Sequence, residues 1–167
     1  MNDEDQFSLH GMTAVVTGAA QGLGESIAHG LAARGARLFL ADLDGEGVSG
    51  TAQDLREGGA DAYAFTTDVT DPASIGELFR AIGENTESLD VLVNNAGIGP
   101  KSAPETMELA FWDNMLRVNT TSYLLMSQGA FPLLTTGANL GGSIINISSI
   151  ASMNGLGRGN VAYSVSK

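Results

Sequence analysis

Apolar runs bounded by turn residues alternate along this chain with segments of helical periodicity, and this alternation restricts the fold more than any other feature. Alternating strands and helices are typical of βαβ units, whose strands form a parallel sheet covered on both faces. The predicted strands are residues 13–17, 37–41, 62–66, 89–94 and 143–147. The predicted helices are about 22–34, 45–57, 72–85 and 106–134, and a last helix begins near residue 160. We therefore predict an α/β fold in a single domain over residues 1–167.

Composition narrows the class of protein. The chain has 167 residues, 43% of them hydrophobic, which suits one domain with a sizeable core. Its net charge of -11 argues against nucleic-acid binding. It has no cysteine, and its two histidines, His10 and His29, lack ligand spacing, so no metal site is predicted. Residues 1–7 do not resemble a signal peptide, and the longest apolar stretch, 123–134, is too short to span a bilayer. We expect a cytoplasmic protein without a membrane partner.

A glycine-rich turn, Thr-Gly-Ala-Ala-Gln-Gly-Leu-Gly over residues 17–24, directly follows the first predicted strand. Glycines at such a point let the chain turn sharply, let a pyrophosphate approach the backbone, and let the next helix pack closely. The N-terminus of that helix offers unpaired N–H groups and a positive dipole end to phosphates. A flexible turn is the alternative, but the strand–turn–helix context favours a dinucleotide site formed by Gly18, Gln21, Gly22, Leu23 and Gly24.

The second predicted strand leads into Asp42, eighteen residues after Gly24. A carboxylate there can accept hydrogen bonds from the ribose hydroxyls of an adenosine, and it repels a 2′-phosphate. Neither Lys nor Arg stands beside the second glycine of the turn, where Gln21 is, or directly after Asp42. We therefore predict NAD rather than NADP as the cofactor. The alternative is that Asp42 caps a loop, a part that Asp44 could also play.

The last five residues contain a tyrosine and a lysine four positions apart, Tyr163 and Lys167. On a helix these positions share one face, so both side chains can point into one cleft. A nearby cation stabilises phenolate and lowers a tyrosine pKa from about 10 toward neutrality. Tyr163 could then donate and accept a proton near pH 7. Chance supplies such a pair often, so its weight depends on the other motifs.

Three motifs in this order resemble the short-chain dehydrogenase/reductase family: the turn at 17–24, Asn-Asn-Ala-Gly at 94–97, and the pair Tyr163 and Lys167. The resemblance extends from about Leu9 to Lys167. It implies a Rossmann-like, doubly wound parallel sheet of order 3-2-1-4-5-6-7, of which this chain reaches the fifth strand and the start of the following helix. It also implies that NAD(P) lies across the carboxyl ends of the strands.

Further cofactor contacts follow from the resemblance. It implies that Asp68 and Val69 contact the adenine, and that Asn95, Ala96 and Gly97 form a strand end and turn beside the cofactor. For the second group, a turn held by local side-chain hydrogen bonds is an alternative that is compatible with this role.

The catalytic residues implied by the resemblance are Asn119, Ser149, Tyr163 and Lys167. The asparagine would hold a water on a proton-relay path, although a purely structural role is also open. The serine would hold the substrate oxygen, and Tyr163 and Lys167 would contact the cofactor as well. Ser149 lies fourteen residues before Tyr163, where the family usually has thirteen, and an insertion within residues 154–160 would explain this. Ser148 and Ser152 remain alternatives.

The activity implied by the resemblance is that of an NAD(P)-dependent oxidoreductase interconverting a secondary alcohol and a ketone by hydride transfer, in a homo-oligomer, dimer or tetramer. A non-catalytic nucleotide-binding regulator on the same fold is the alternative. The resemblance covers the first two-thirds of the family's usual length, so we expect residues 1–167 to be an incomplete domain with little activity, in which strand 143–147 exposes an apolar edge. Candidate substrate contacts, which indicate only a mostly apolar pocket, are Ile98, Ser152, Met153 and Leu156.

Overall fold

A five-stranded parallel sheet organises the protein, described by a computed structural model for residues 7–136, 141–154, 157 and 159–167. The strands are β1 (Thr13–Thr17), β2 (Arg37–Asp42), β3 (Ala62–Thr66), β4 (Val91–Asn94) and β5 (Ser143–Asn146). The α-helices are α1 (Gly22–Ala32), α2 (Gly45–Glu57), α3 (Pro72–Gly83), α4 (Leu109–Leu116), α5 (Ser122–Leu134) and α6 (Val161–Ser166). The predicted α/β class and the Rossmann-like fold are confirmed.

The strand order is β3-β2-β1-β4-β5, and every neighbouring pair is parallel. This is the order that the family resemblance implies for the first five strands. The chain progresses outward in one direction from β1 to β3 and in the other from β4 to β5. Because the direction of winding changes between β1 and β4, loops at their carboxyl ends diverge and leave a crevice, where open α/β sheets bind their ligands.

The core consists of two apolar layers on opposite faces of the sheet. Alternate residues of β1 point to opposite faces, so Val15 belongs to the layer beneath α3 and α5, and Val16 to the layer beneath α1 and α2. All five residues of β1 are buried. In contrast, all four residues of β5 are exposed, with Ile144 at 43% and Ile145 at 46%. The expected exposure of apolar side chains on this strand is therefore present.

Two helix boundaries depend on aspartate caps. Asp71 accepts a hydrogen bond from the Ala73 N–H and precedes Pro72, the first residue of α3. Asp44 accepts from the Gly47 N–H at 3.0 Å and caps α2. Asp44 therefore caps the helix, while Asp42 also holds the loop by accepting from the Asp44 N–H at 3.0 Å.

The predicted helix 106–134 differs most from the structure. A short 3-10 helix, Pro104–Thr106, precedes α4, and a π-helical turn, Arg117–Thr121, lies between α4 and α5. Residues on both sides of the π turn have helical backbone angles, so the helix continues through it. Such insertions widen one helical turn and are frequent at functional sites. This turn contains Asn119.

No helix among the described residues is long and apolar enough to cross a membrane.

Candidate functional site

Two adjoining cavities lie at the carboxyl ends of the strands. The first, of ≈ 390 Å³, extends from Asp42 to Val118, and the second, of ≈ 430 Å³, contains Tyr163 and Lys167. They share lining residues, among them Leu23 and Asn95, and so form one cleft. Ten residues predicted to bind the cofactor line the first cavity: Gly18, Gln21, Leu23, Gly24, Asp42, Asp68, Val69, Asn95, Ala96 and Gly97. The structure thus brings together groups that are far apart in the sequence.

The glycines of the turn at residues 17–24 serve different steric purposes. Gly18 and Gly22 have φ angles of +67° and +63°, a region that side chains rarely adopt. A Cβ atom on Gly24 would overlap the carbonyl oxygen of Gly18, so only glycine lets α1 pack this closely on the turn. A Cβ on Gly22 would meet nothing within 4 Å, so the backbone there faces open space. The turn therefore leaves room for a phosphate at the N-terminus of α1.

Thr17 and Asn95 connect the glycine turn to the end of β4. Thr17 Oγ1 accepts hydrogen bonds from the N–H groups of Asn95 and Ala96, both at 3.0 Å. Asn95 Nδ2 donates to the carbonyl oxygens of Thr17 at 2.9 Å and Gly18 at 3.1 Å. The Asn-Asn-Ala-Gly segment therefore holds the turn with side-chain and backbone hydrogen bonds while it also lines the cleft.

Asp42 faces the back of the glycine turn. Its two carboxylate oxygens accept from the N–H groups of Ala20 and Asp44, each at 3.0 Å. A carboxylate has about four acceptor positions, so these contacts orient Asp42 and leave it able to accept from ribose hydroxyls. Among the described residues that line the first cavity there is no lysine or arginine to receive a 2′-phosphate.

At the far end of the first cavity, a loop after β3 contains Asp68. Its Oδ1 accepts from both the N–H and the hydroxyl of Thr70, at 2.8 and 2.7 Å. Arg117, in the π turn, donates from Nη2 to the Thr70 carbonyl at 2.9 Å. The predicted adenine loop is thereby tied to the helix that contains Asn119.

Asn119 is buried, and its amide hydrogen-bonds in several directions. Oδ1 accepts from the Ile98 N–H at 2.8 Å, while Nδ2 donates to the Ile98 carbonyl and to Ser166 Oγ, both at 2.8 Å. The side chain therefore joins the turn after β4 to α6. These hydrogen bonds give Asn119 the structural role that the sequence left open, because they position the helix that contains Tyr163. Participation of Asn119 in a proton relay stays a prediction.

Tyr163 and Lys167 both line the second cavity, as the helical spacing predicts. The ammonium of Lys167, however, makes its hydrogen bonds elsewhere: Nζ donates to Tyr123 Oη at 2.8 Å and to the Ile147 carbonyl at 2.9 Å. Burial lowers the pKa of Lys167. Burial, followed by the charge of Tyr163, raises the pKa of Tyr123 to about 12. Sequence reasoning missed Tyr123, although its position four residues after Asn119 places both on one helix face.

The serines after β5 occupy different environments. Ser149 Oγ accepts from the Ala151 N–H at 3.2 Å and caps the 3-10 helix Ile150–Ser152, and Ser149 is not among the described residues that line the second cavity. Ser148 does line it, and its hydroxyl donates to the Lys167 carbonyl at 2.7 Å. The assignment of the substrate-binding serine to Ser149 stays a prediction. Ser149 itself has an extended backbone, and the chain turns into the 3-10 helix immediately after it.

The candidate substrate contacts are dispersed. Ile98 lines both cavities, so it is placed where the sequence predicts. Met153 is 85% exposed, and neither it nor Ser152 is a lining residue of the described cleft. Ser152 instead donates to the Ser149 carbonyl at 2.6 Å. Leu156 lies outside the described residues.

Comparison with known proteins gives a consistent result. A family model described as short chain dehydrogenase matches residues 12–167. A rhamnolipids biosynthesis 3-oxoacyl-[acyl-carrier-protein] reductase of Pseudomonas aeruginosa is 37% identical over 163 residues, which cover 96% of this chain and 63% of that protein. D-threitol dehydrogenase of Mycolicibacterium smegmatis is 35% identical over 161 residues, 96% of this chain and 61% of that protein.

Solved structures show the same likeness. The NADP active-site complex of RhlG from Pseudomonas aeruginosa matches with a TM-score of 0.88 and 37% identity, over 96% of this chain and 63% of that chain. The chain therefore spans less than two-thirds of the length of these relatives.

Proposed function

The chain belongs to the short-chain dehydrogenase family, and on that premise we propose that the gene product containing residues 1–167 is an NAD(P)-dependent oxidoreductase. It interconverts a secondary alcohol and a ketone by hydride transfer. The observation that carries the proposal is the single cleft that connects the glycine turn and Asp42 to Tyr163 and Lys167. A nucleotide regulator needs the first part of this cleft but has no use for a tyrosine and a lysine in the second.

The residues of the first cavity fit a dinucleotide. The open space beside Gly22 and the close packing at Gly24 leave backbone N–H groups at the start of α1 accessible to phosphates. Asp42 is oriented by two backbone contacts and can accept from ribose hydroxyls. In this proposal Gly18, Gln21, Gly22, Leu23 and Gly24 hold the pyrophosphate, Asp68 and Val69 the adenine, and Asn95, Ala96 and Gly97 the middle of the cofactor.

The proposed chemistry divides between cofactor and protein. A bound nicotinamide supplies the hydride acceptor or donor. Tyr163 removes the hydroxyl proton during oxidation and returns it during reduction. Ser149 donates a hydrogen bond to the substrate oxygen, where negative charge accumulates. Lys167 adds positive charge to the same cavity and holds the nicotinamide ribose, while Asn119 positions α6 and supports a water on the path to solvent.

We propose NAD as the preferred cofactor because Asp42 and the absence of a described basic lining residue both disfavour a 2′-phosphate. The relative RhlG was solved with NADP, so the preference of this protein requires its own measurement. The proposed substrate is a small alcohol or carbonyl compound, and the proposed location is the cytoplasm.

We further propose that the active protein is a homo-oligomer and that residues 1–167 form an incomplete domain with little activity alone. Exposed apolar side chains along α4 and α5, namely Leu109, Leu124 and Phe131, support an interface on these helices. This chain covers 63% of the length of the Pseudomonas aeruginosa reductase, and Ile144 and Ile145 on β5 are exposed. Both observations support the need for a further segment over β5.

The test uses the complete gene product and a panel of secondary alcohols and ketones, followed by NADH absorbance. Tyr163→Phe removes only the hydroxyl and should lower kcat by about 100-fold or more, while NADH binding, measured by fluorescence, persists. Tyr63→Phe makes the same change in β3, outside the cleft, and serves as the matched control. Turnover within twofold of wild type in Tyr163→Phe would refute the assignment. NADH binding without turnover of any substrate by the wild type would favour the regulator.

A second pair of variants separates the two serines. Ser149→Ala should lower kcat by about 100-fold, because the oxygen of the reacting substrate loses its donor. Ser148→Ala should lower it by less than about tenfold, because the proposal assigns the substrate oxygen to Ser149 and not to Ser148. The reverse order of effects would move the substrate-binding role to Ser148.

A further inference from the structure

Tyr123 contacts the ammonium of Lys167, and none of the roles above accounts for this contact. Tyr123 Oη accepts a hydrogen bond from Lys167 Nζ at 2.8 Å, and the ring centroid lies 5.2 Å from that nitrogen. Oη also donates to the Ile147 carbonyl at 3.1 Å, the same oxygen that accepts from Nζ at 2.9 Å. Side chains from α5 and the end of α6 thus converge on one carbonyl directly beyond β5.

This triangle of contacts restricts the ammonium. A lysine ammonium has three N–H donors on a flexible stem, so one contact would leave it able to rotate and move. Here two donors have fixed partners, and the partners hydrogen-bond to each other. Lys167 also lines the cavity that contains Tyr163. The third donor is then available to a group in that cavity.

The phenol is suited to act as a neutral acceptor. Its burial raises the pKa of Tyr123 to about 12, so the hydroxyl keeps its proton across the physiological range. With that proton donated to the Ile147 carbonyl, the oxygen lone pairs face Nζ. A phenylalanine at this position would keep the ring beneath the ammonium but offer no acceptor.

We propose that Tyr123 is a positioning residue of the catalytic centre, which together with the Ile147 carbonyl fixes the Lys167 ammonium at the wall of the cavity. Its third donor then serves the nicotinamide ribose. This inference rests on the proposed function, because it assigns Tyr123 a purpose only if Lys167 holds the cofactor. Tyr123 itself acts through Lys167 and exchanges no proton with substrate.

The experiment compares Tyr123→Phe, Lys167→Met and the double variant in the complete gene product. NADH affinity is measured by fluorescence titration, which needs no turnover. Tyr123→Phe should raise the Kd for NADH about tenfold, since hydrogen bonds to charged groups have effects of this size. In the Lys167→Met background the same change should have no further effect, because the ammonium that Tyr123 positions is gone.

The protein offers a matched control in Tyr63. Its Oη accepts from Arg37 Nη2 at 3.2 Å, and the guanidinium lies 5.4 Å from the ring, so Tyr63→Phe removes a similar phenol–cation contact away from the cleft. Its Kd for NADH should equal that of the wild type. Thermal unfolding of each variant verifies that it is folded, and kcat supplies a second measure of Tyr123→Phe, with a loss of about tenfold expected.

The outcomes separate this inference from the proposed function. An unchanged Kd and kcat in Tyr123→Phe would overturn the inference, as would an equal loss of affinity with and without Lys167. If Tyr163→Phe is inactive while Tyr123→Phe matches the wild type, the proposed function stands and only the role of Tyr123 fails. If Tyr163→Phe keeps full turnover, the proposed function is wrong, and the inference that rests on it fails with it.

Discussion

Thr17 and Asn95 hold each other at the carboxyl ends of two neighbouring strands: Thr17 Oγ1 accepts from the Asn95 N–H at 3.0 Å, and Asn95 Nδ2 donates to the Thr17 carbonyl at 2.9 Å. The pair joins the carboxyl ends of β1 and β4, the two strands between which the sheet reverses its winding. The geometry of the glycine turn therefore depends on a residue that is 78 positions away in the sequence.

Replacing Thr17 by valine preserves its shape and removes the acceptor. The N–H groups of Asn95 and Ala96 then lose their partner in a part-buried place. We expect the free energy of unfolding to fall by about 1–3 kcal/mol, and NADH affinity to fall with it. Urea denaturation and fluorescence titration measure the two effects. Thr13→Val, at the other end of β1, is the control, since the Thr13 hydroxyl makes no hydrogen bond with a described residue. Equal losses of stability and NADH affinity in the two variants would show that the hydrogen bonds between Thr17 and Asn95 are unimportant.

Gly24→Ala and Gly30→Ala place the same methyl group on one helix with opposite consequences. At Gly24 the new Cβ would overlap the Gly18 carbonyl oxygen and lie 2.6 Å from Asn95 Nδ2, so α1 must move away from the turn. Nucleotide binding should be lost. At Gly30 the Cβ meets nothing within 4 Å, and the helix should gain about 0.5–1 kcal/mol. A Gly24→Ala protein that binds NADH like the wild type would contradict the proposed phosphate site.

Asp42→Asn tests the cofactor preference. The substitution removes the charge that repels a 2′-phosphate, and two charges 4 Å apart near a protein surface interact by about 4 kcal/mol. The ratio of kcat/KM for NAD to that for NADP should therefore fall by at least about tenfold. Loss of a backbone contact at Ala20 or Asp44 affects both cofactors alike and cancels in the ratio. Asp44→Asn, which retains a capping oxygen for Gly47, should leave the ratio unchanged; a ratio unaffected by Asp42→Asn would argue against the assignment.

The raised pKa of Tyr123 predicts a loss of stability at high pH. An unfolded tyrosine ionises near 10, whereas the folded pKa is about 12, so the folded state binds more protons between these values. The free energy of unfolding should fall as the pH rises through this window. Lys167 acts oppositely, since burial lowers its pKa, but its contribution ends near its ordinary value of 10.5. Urea unfolding from pH 10.5 to 12 should show a shallower decline in Tyr123→Phe; identical slopes would contradict the burial.

The sequence predicted most of the sheet because its strands are apolar on both faces and end at turn residues. The bounds of β1, β3 and α2 agree with the prediction, and β2 extends only one residue further, to Asp42. Local geometry explains the glycine turn equally well, since positive φ angles and close packing each demand glycine. The helix 106–134 was less accurate, because apolar periodicity does not reveal a π turn in which one turn accommodates an extra residue.

The amino-acid sequence by itself determined the α/β class, the glycine turn and the placement of Tyr163 and Lys167 in one cavity, because these follow from local periodicity and backbone sterics. Only the tertiary structure decided where the Lys167 ammonium donates, which serine lines the cavity and how Asn119 ties α6 to the turn after β4. Each of these depends on a partner brought in by packing, as Tyr123 is brought to Lys167 across 44 residues. Spacing along the sequence does not indicate which distant side chains the fold brings into contact.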